Sequence, residues 1–426
     1  MEHRLDLTLV KGLNSWMNRR WCSSKTLLCS SSSFLGAVLA VYYLFPGHCG
    51  HQFLTHHQQI PAAIELPAYP CDRKLIILYW TKYFGTADFG FGTGRAPFIE
   101  CPDRGACLTT TDRSFVNDSD AIIFHARDIN VNDLPPDGWR RPHQHYIFLL
   151  YESPENTNLD MLRQPLFRHY FNRTMTYRRD SDVFDLHPYG RMECIDAASP
   201  SCTEFPRTTQ NNIIQADSST SVPVNVDLTF KNRTIAWFVS NCKTNSRREL
   251  LASKLSQFIP VDIYGACKNG NNTCIDRAAC DETLSRHYRF YLSFENSLCL
   301  DYVTEKLYRP LQFSAVPVVY GGADYSMYLP AGSYVNAMDF DSPEHLADHL
   351  NKLMVDDELY LTYFRWKEKY TIKRFPKIGM CQLCRLLGDP ETKDKSYADM
   401  AGWWAGDVNG TNQICQPSTN FRLKFS

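Results

Sequence analysis

The 426-residue chain has no surplus of either charge: 45 lysines and arginines face 46 acidic residues, for a net charge of -1. A dedicated nucleic-acid binder needs a basic excess to hold phosphates, so that class is excluded. C-x-x-C occurs once, at Cys381–Cys384, with no second pair at zinc-finger spacing, which argues against structural zinc. Its place far from the N-terminus also argues against a thioredoxin-like redox motif. There is no internal repeat, no long low-complexity tract and no second apolar run long enough to span a bilayer. Bulk disorder is excluded too, because 44% of the residues are hydrophobic and 21% charged. The length exceeds one ordinary domain and fits two or three, or one large bilobal enzyme. The 13% of aromatics suits ring stacking on sugars or bases and a large core equally well.

Cysteine is abundant, at sixteen residues, and its meaning depends on the compartment. Arg4, Lys11, Arg19, Arg20 and Lys25 precede an uncharged stretch at 26–45, and no lysine or arginine follows until Arg73. About twenty residues suffice to cross a hydrocarbon core as a helix, and this basic asymmetry predicts a cytoplasmic N-terminus. A cleaved signal peptide is the rival reading, encouraged by the serines at 30–33. The long basic segment and the length of the apolar run favour an uncleaved anchor. The expected organisation is a cytoplasmic tail (1–25), a transmembrane signal anchor (26–45), a His-, Gln- and Pro-rich stem (46–70) and a lumenal head. In that compartment cysteines are disulfide candidates rather than metal ligands, with the pairing left open. Five N-x-S/T sequons, at Asn117, Asn172, Asn232, Asn271 and Asn409, agree with the lumen.

Within the head, apolar runs of strand length fall in two series. Lys74–Trp80, Ala121–Phe124 and Tyr146–Tyr151 form the first; Thr234–Val239, Val261–Tyr264, Phe290–Phe294 and Val316–Tyr320 form the second. Continuous apolar strands read as parallel sheet buried on both faces. Helical patterns at Ser246–Phe258 and Tyr302–Gln312 separate the later runs, and Ser342-Pro343 opens another helix with an N-cap serine and a first-turn proline. The polar stretch 203–225 is the expected linker. Alternating strands and helices on both sides of it predict an α/β fold of two Rossmann-like lobes across a cleft.

Several residues are placed to carry chemistry. Glu152 directly follows the strand YIFLLY and precedes Ser153-Pro154, so its carboxylate is expected at a strand's carboxyl end facing the cleft. Partial desolvation there would lift its pKa toward base duty; the plainer alternative is a residue that merely caps the next turn. Ser240 and Asn241 end a strand just before a helix bearing Arg247 and Arg248. A helix N-terminus with arginine is a phosphate-binding arrangement, and a solvated basic helix face is its bland counterpart. The segment YLSFENSLCLDYVTEKLY (291–308) passes from buried strand through a polar loop into a helix. Glu295, Asn296, Asp301, Glu305 and Lys306 crowd that passage, which is costly unless they serve each other or a ligand. Other signals are weak. Phe89-Gly-Phe-Gly-Thr-Gly94 lacks G-x-G-x-x-G spacing, and His143-Gln-His145 reads more simply as surface histidines. The carboxylate pairs Asp118/Asp120, Asp180/Asp182 and Asp339/Asp341 are too numerous to mark one metal.

The block FYLSFENSLCLDYVTEKLYRPLQFSAVPVVYG (290–321) resembles the donor-binding signature of the α1,3-fucosyltransferases. YESP at 151–154, TYRRDSD at 176–182, PYG at 188–190 and WFVSN at 237–241 extend the resemblance over most of the head. It implies a Golgi type II membrane protein with a GT-B glycosyltransferase fold. Residues 71–225 would be the acceptor-side lobe, 226–370 the GDP-fucose lobe, and 371–426 a disulfide-containing C-terminal segment. It also implies inverting transfer of fucose from GDP-fucose to the 3-hydroxyl of GlcNAc in glycoprotein glycans. Carried over residue by residue, Glu152 matches the catalytic base. Ser240, Asn241 and Arg247, with Arg248 as the alternative arginine, match the diphosphate region. Tyr291 and Asn296 match the nucleotide-facing part, and Tyr302, Glu305 and Lys306 match positions near ribose, fucose and phosphates. With such cations available no cofactor is obligatory, a divalent metal being at most stimulatory. The alternatives are a tethered glycan-binding protein on a degenerate transferase fold and a transferase of another nucleotide sugar. The run Glu155-Asn156-Thr157 departs from the histidine-containing run of many vertebrate members, which leaves acceptor contacts there open.

Overall fold

The computed structural model describes residues 74–418, except 103–105, 137, 197–198, 200–201, 203–204, 206–225, 269–271, 393 and 408–412. The expected tail, anchor and stem, most of the expected linker, and Asn271 and Asn409 lie outside the described residues. Among the described residues no helix is long and apolar enough to cross a membrane.

The first sheet contains β1 (Leu75–Tyr79), β2 (Cys107–Thr110), β3 (Ala121–His125), β4 (His145–Leu150), β5 (Arg173–Thr176) and β6 (Val183–Phe184). Its order is β2-β1-β3-β4-β5-β6, parallel throughout. The strand period of two explains the apolar runs: Tyr146, Phe148 and Leu150 enter the core on one face, Ile147 and Leu149 the core on the other. After β7 (Arg191–Cys194), the second sheet is built from β8 (Arg233–Phe238), β9 (Val261–Tyr264), β10 (Tyr288–Phe294), β11 (Val316–Tyr320) and β12 (Val335–Asn336). It is also parallel, in the order β12-β11-β10-β8-β9. The fold is therefore α/β with two parallel sheets.

Helices cover the second sheet. Leu251 and Leu255 of α1 (Arg248–Leu255) pack with Phe290, Leu292 and Phe294 on one face, and Leu284 of α2 (Arg277–His287) packs with Tyr291 on the other. The helix expected at Tyr302–Gln312 starts later, as α3 (Glu305–Gln312), with Thr304 as its N-cap. In α4 (Pro343–Val355) the Ser342 hydroxyl accepts from the His345 N–H at 3.2 Å, the cap its sequence predicts.

The C-terminal segment does not stand apart from the lobes. It runs back to the first lobe, where β13 (Tyr370–Lys373) pairs antiparallel with β7. Helix α5 (Ile378–Gly388) is clipped there by Cys101–Cys381 and Cys107–Cys384, so the two cysteines of C-x-x-C bridge separately to the first lobe. Helix α6 (Met400–Ala405) inserts Trp404 against Phe148 and Tyr177, with ring centroids 5.6 and 5.4 Å away. Four further disulfides join Cys194–Cys202, Cys242–Cys267, Cys274–Cys280 and Cys299–Cys415. The apolar faces of the first sheet thus find cover in a chain segment more than two hundred residues away. Trp404→Ala is expected to destabilise the head by about 3–5 kcal/mol. A urea titration with an unchanged midpoint would show that α6 is not part of this core.

Candidate functional site

Each sheet reverses its direction of strand addition once. In the second sheet the reversal lies between β8 and β10, and in the first between β1 and β3. Open parallel sheets bind ligands beyond the strand ends at such switch points. At the β8/β10 switch the loop carrying Ser240 and Asn241 is exposed and pinned by Cys242–Cys267. Arg247 is exposed and left-handed, with φ 53°, just outside α1. Arg248 is buried instead, and its guanidinium donates to the Phe294 carbonyl at 2.7 Å and the Asn241 carbonyl at 3.3 Å. Of the two arginines, Arg248 is therefore the one the fold turns toward the ends of β8 and β10. Burial holds its pKa below the ordinary arginine value, against the pull of Glu295. The Asn296 carbonyl accepts from the Ser246 N–H at 3.2 Å, while its buried Oδ1 has no hydrogen-bond partner among the described residues.

The start of α3 gathers charge. Glu295 accepts from the Thr304 N–H and hydroxyl at 2.9 and 2.8 Å, and Lys306 Nζ lies 3.3 Å from its other oxygen. Lys306 also donates to the Thr304 hydroxyl at 2.8 Å and sits 3.3 Å from Glu305. Burial lowers the lysine pKa, but Glu295 and Glu305 outweigh it, and the net shift is upward. Burial raises Glu305, and Lys306 reverses that, leaving its carboxyl below the usual range. Both groups are ionised.

Glu152 directly follows β4, with 32% of its side chain exposed and Arg127 Nη1 4.0 Å away. It lines a cavity of about 440 Å³ with Tyr83, Pro188 and Tyr189 of the first lobe. The opposite wall is Arg277 and Asp281 of α2 with Glu305, Tyr308, Arg309 and Gln312 of α3. Burial, then the carboxylates of Glu152 and Glu305, push the Tyr83 phenol up to about 12, so it remains a donor. Side-chain contacts hold the Glu152 loop to the second lobe. The Ser153 and Ser297 hydroxyls are 2.7 Å apart, and Asn156 Nδ2 donates to both, at 3.0 and 3.3 Å. Beside Glu152, the Tyr151 hydroxyl donates to Asp185, and the Tyr189 hydroxyl to the Tyr151 carbonyl. Burial lifts the Asp185 carboxyl to about 7, while the Tyr151 hydroxyl and the N–H groups of Leu186, His187 and Gly379 pull it down.

One cavity brings Glu152 and Glu305 together, with Lys306 beside Glu305, and Arg248 is bonded to the Phe294 and Asn241 carbonyls at the ends of β10 and β8. Arg247 is exposed just before α1. Tyr291 is core, against Phe238, and Tyr302 is core against Tyr177. Sequence reasoning missed Tyr83, the Asp281–Arg309 pair at 2.6 Å, and Asp185; none has a local signal, because each meets its partner across a long stretch of chain. Asp120, Asp180 and Asp182 serve the fold: they accept from the Ile76 N–H, from Arg178 and from the Thr174 N–H. Among the described residues, the cluster with metal-ligand spacing is Glu155 with Cys299 and Cys415, whose sulfurs form a disulfide. Asn117 and Asn232 are exposed, and Asn172 is half-buried with its Oδ1 accepting from the Tyr146 N–H at 2.7 Å.

Comparison with known proteins places this cleft in a family. Residues 72–190 match the family model for the fucosyltransferase N-terminal domain, and 228–403 that for the glycosyltransferase family 10 (fucosyltransferase) C-terminal domain. The chain belongs to glycosyltransferase family 10, the fucosyltransferases. It is 39% identical to alpha-(1,3)-fucosyltransferase C of Drosophila melanogaster over 345 residues, 77% of each protein. It is 35% identical to human 4-galactosyl-N-acetylglucosaminide 3-alpha-L-fucosyltransferase FUT5 over 355 residues, 80% of this chain and 82% of that protein. A crystal structure of an alpha1,3-fucosyltransferase with GDP-fucose aligns at a TM-score of 0.46 and 16% identity, over 79% of this chain and 96% of that one. The cleft of this fucosyltransferase lies between the halves matched by the two models. Tyr151→Phe deprives the buried Asp185 carboxyl of its hydroxyl donor and is expected to cost about 1–3 kcal/mol. A thermal midpoint equal to that of the unmodified protein would remove Asp185 from the supports of the Glu152 loop.

Proposed function

We propose that this fucosyltransferase transfers L-fucose from GDP-fucose to the 3-hydroxyl of GlcNAc in glycoprotein glycans, with inversion at the anomeric carbon. The observation that carries the proposal is a single cavity with Glu152 on one wall and Glu305, the neighbour of Lys306, on the other. Glu152 is the general base: its carboxylate takes the acceptor hydroxyl proton as that oxygen bonds to the anomeric carbon and the bond to GDP breaks. General bases contribute about 10²–10⁴ in rate. Arg248 and Lys306 face the diphosphate, where fixed cations stabilise the charge that develops as GDP departs. The N-terminus of α3 adds its dipole, and Glu305 accepts from hydroxyls of ribose or fucose. Asn241 and Asn296 line the nucleotide side; the unpartnered Oδ1 of Asn296 is an acceptor free for the ligand. The cations meet the electrostatic need of the step, so the reading requires no obligatory metal.

A GT-B arrangement is part of this reading, supported by two parallel sheets of like order and by the C-terminal return to the first lobe. So is anchoring in the Golgi membrane through residues 26–45 with a lumenal head, supported by the six disulfides and the exposed sequons Asn117 and Asn232.

Glu152→Gln is expected to lower kcat by about 10²–10⁴, with GDP affinity by calorimetry unchanged. Turnover retained at the unmodified level would eliminate Glu152 as the base. The two neighbouring arginines separate cleanly. Arg247→Ala is expected to leave GDP affinity unchanged, whereas Arg248→Lys loses charge-assisted contacts worth about 1.5–3 kcal/mol. The reverse pattern would move the diphosphate to Arg247.

A further inference from the structure

Glu152 is itself held loosely. Its side chain is 32% exposed, and the facing cation, Arg127 Nη1, is 4.0 Å away. A base so placed takes its direction from the backbone, and the residue before it is gripped from two sides. The buried Tyr151 side chain donates through its hydroxyl to Asp185, and the Tyr151 carbonyl accepts from the Tyr189 hydroxyl. We propose that Asp185 is a positioning residue for fucosyl transfer: its ionised carboxylate holds Tyr151, and through that residue's backbone it sets the direction of the Glu152 carboxylate. The proposal rests on the reading of Glu152 as the general base and adds the group that aims it.

Three observations carry it. The first is the kind of group that faces this carboxyl. Asp185 is fully buried, and four donors converge on it: the Tyr151 hydroxyl at Oδ2, the His187 N–H at 3.2 Å from Oδ1, and the N–H groups of Leu186 and Gly379. Such a set fits an ionised carboxylate, which only accepts, and conflicts with a protonated one, which must itself donate. The N–H groups are fixed by the backbone, whereas a hydroxyl hydrogen turns. A proton on Asp185 therefore breaks the Tyr151 contact first, and that is the contact leading to Glu152.

The second is the rigidity of the support. Gly379 is the second residue of α5, whose N-cap Lys377 supplies no side-chain cap. Asp185 takes that role from a distant segment, and its negative charge faces the positive end of the helix. A Cβ at Gly379 would lie 2.5 Å from the Asp185 Oδ1, so glycine is what allows the approach. α5 is in turn fastened to the first lobe by Cys101–Cys381 and Cys107–Cys384. The third is that the neighbours keep their charge state where Asp185 changes its own. Burial lifts Asp185 to about 7 against the pull of its donors. It also carries the phenols of Tyr79, Tyr151 and Tyr189 upward, and that of Tyr83 to about 12. His187 is lowered by burial to about 4, with the Pro376 carbonyl opposing and Lys377 assisting. Lys377, in front of α5, donates to the Phe91 and Ala96 carbonyls at 3.1 and 3.4 Å. Near neutral pH these tyrosines and His187 stay uncharged, and among them Asp185 alone titrates.

The test is the pH dependence of kcat and of KM for GDP-fucose, with a panel of GlcNAc-bearing glycans as acceptors. In the unmodified enzyme kcat should fall by about tenfold or more as the pH drops through about 7, with KM for GDP-fucose constant. Asp185→Asn, neutral at every pH, should show the lower kcat on the alkaline side too and lose this limb, while any limb belonging to Glu152 remains. Tyr151→Phe cuts the same link with Asp185 intact and should likewise give a lowered kcat without the limb, so the test does not depend on one variant folding. GDP affinity by calorimetry equal to that of the unmodified protein verifies the fold of each variant. A merely structural Asp185 would scale kcat down equally at every pH and leave the limb in place. That result, or an unchanged alkaline-side kcat in Asp185→Asn, overturns the proposal. An unmodified protein that transfers fucose to no acceptor overturns the base reading and this proposal with it, whereas transfer with an unaltered limb in the variants overturns the positioning role alone.

Discussion

The cleft is organised around the buried carboxylate of Glu295. Only 1% of its side chain is exposed, and an ion so placed costs several kcal/mol unless its oxygens are satisfied. The fold satisfies them with the Thr304 N–H and hydroxyl and the Lys306 ammonium. One requirement thereby fixes three things: the path of the loop after β10, the first turn of α3, and the position of a permanent cation at the cleft. Burial pushes the Glu295 carboxyl up and Lys306 draws it back, whereas the lysine is carried upward by two carboxylates. Such a pair is weak evidence for stability. Its consequence here is placement, since an exposed lysine would spread its charge over many rotamers.

The same strand end holds the two lobes in register. Ser297, two residues past Glu295, meets Ser153, the residue after Glu152, and Arg179 of the first lobe binds Asp301 through both its N–H and its side chain, at 3.1 Å each. Gly190, at φ 131°, lets the first lobe approach α3 so closely that a Cβ there would lie 3.0 Å from Tyr308. Glu152, the proposed base, and the Lys306 cation therefore share one frame, joined by short contacts between the lobes. In-line displacement needs that shared frame, because small misplacements of reacting groups cost large factors in rate.

The buried strands were legible because burial on both faces leaves an uninterrupted apolar run: β1, β3, β4, β8, β10 and β11 all lie within or beside such runs. β2 and β5 were not, since CLTT and RTMT carry polar residues whose burial depends on neighbouring strands. Nor was the return of the C-terminal segment, whose bridges to Cys101 and Cys107 join residues 280 and 277 positions apart and leave no local pattern. The choice between Arg247 and Arg248 turned on a single residue of helix start. α1 begins at Arg248, whose guanidinium is bonded to carbonyls at the strand ends, while Arg247 lies just before the helix with φ 53° and an exposed side chain. Tyr291 and Tyr302 show the converse: their place in a signature-like segment reflects core packing, a role that motif matching does not separate from ligand contact.

The most direct test of this account is the affinity for GDP after the charge that Glu295 holds in place is removed. Lys306→Gln, with the fold verified by circular dichroism, should bind GDP at least about tenfold more weakly by calorimetry. Unchanged affinity would contradict the claim that the Glu295–Lys306 pair positions the cation that meets the diphosphate.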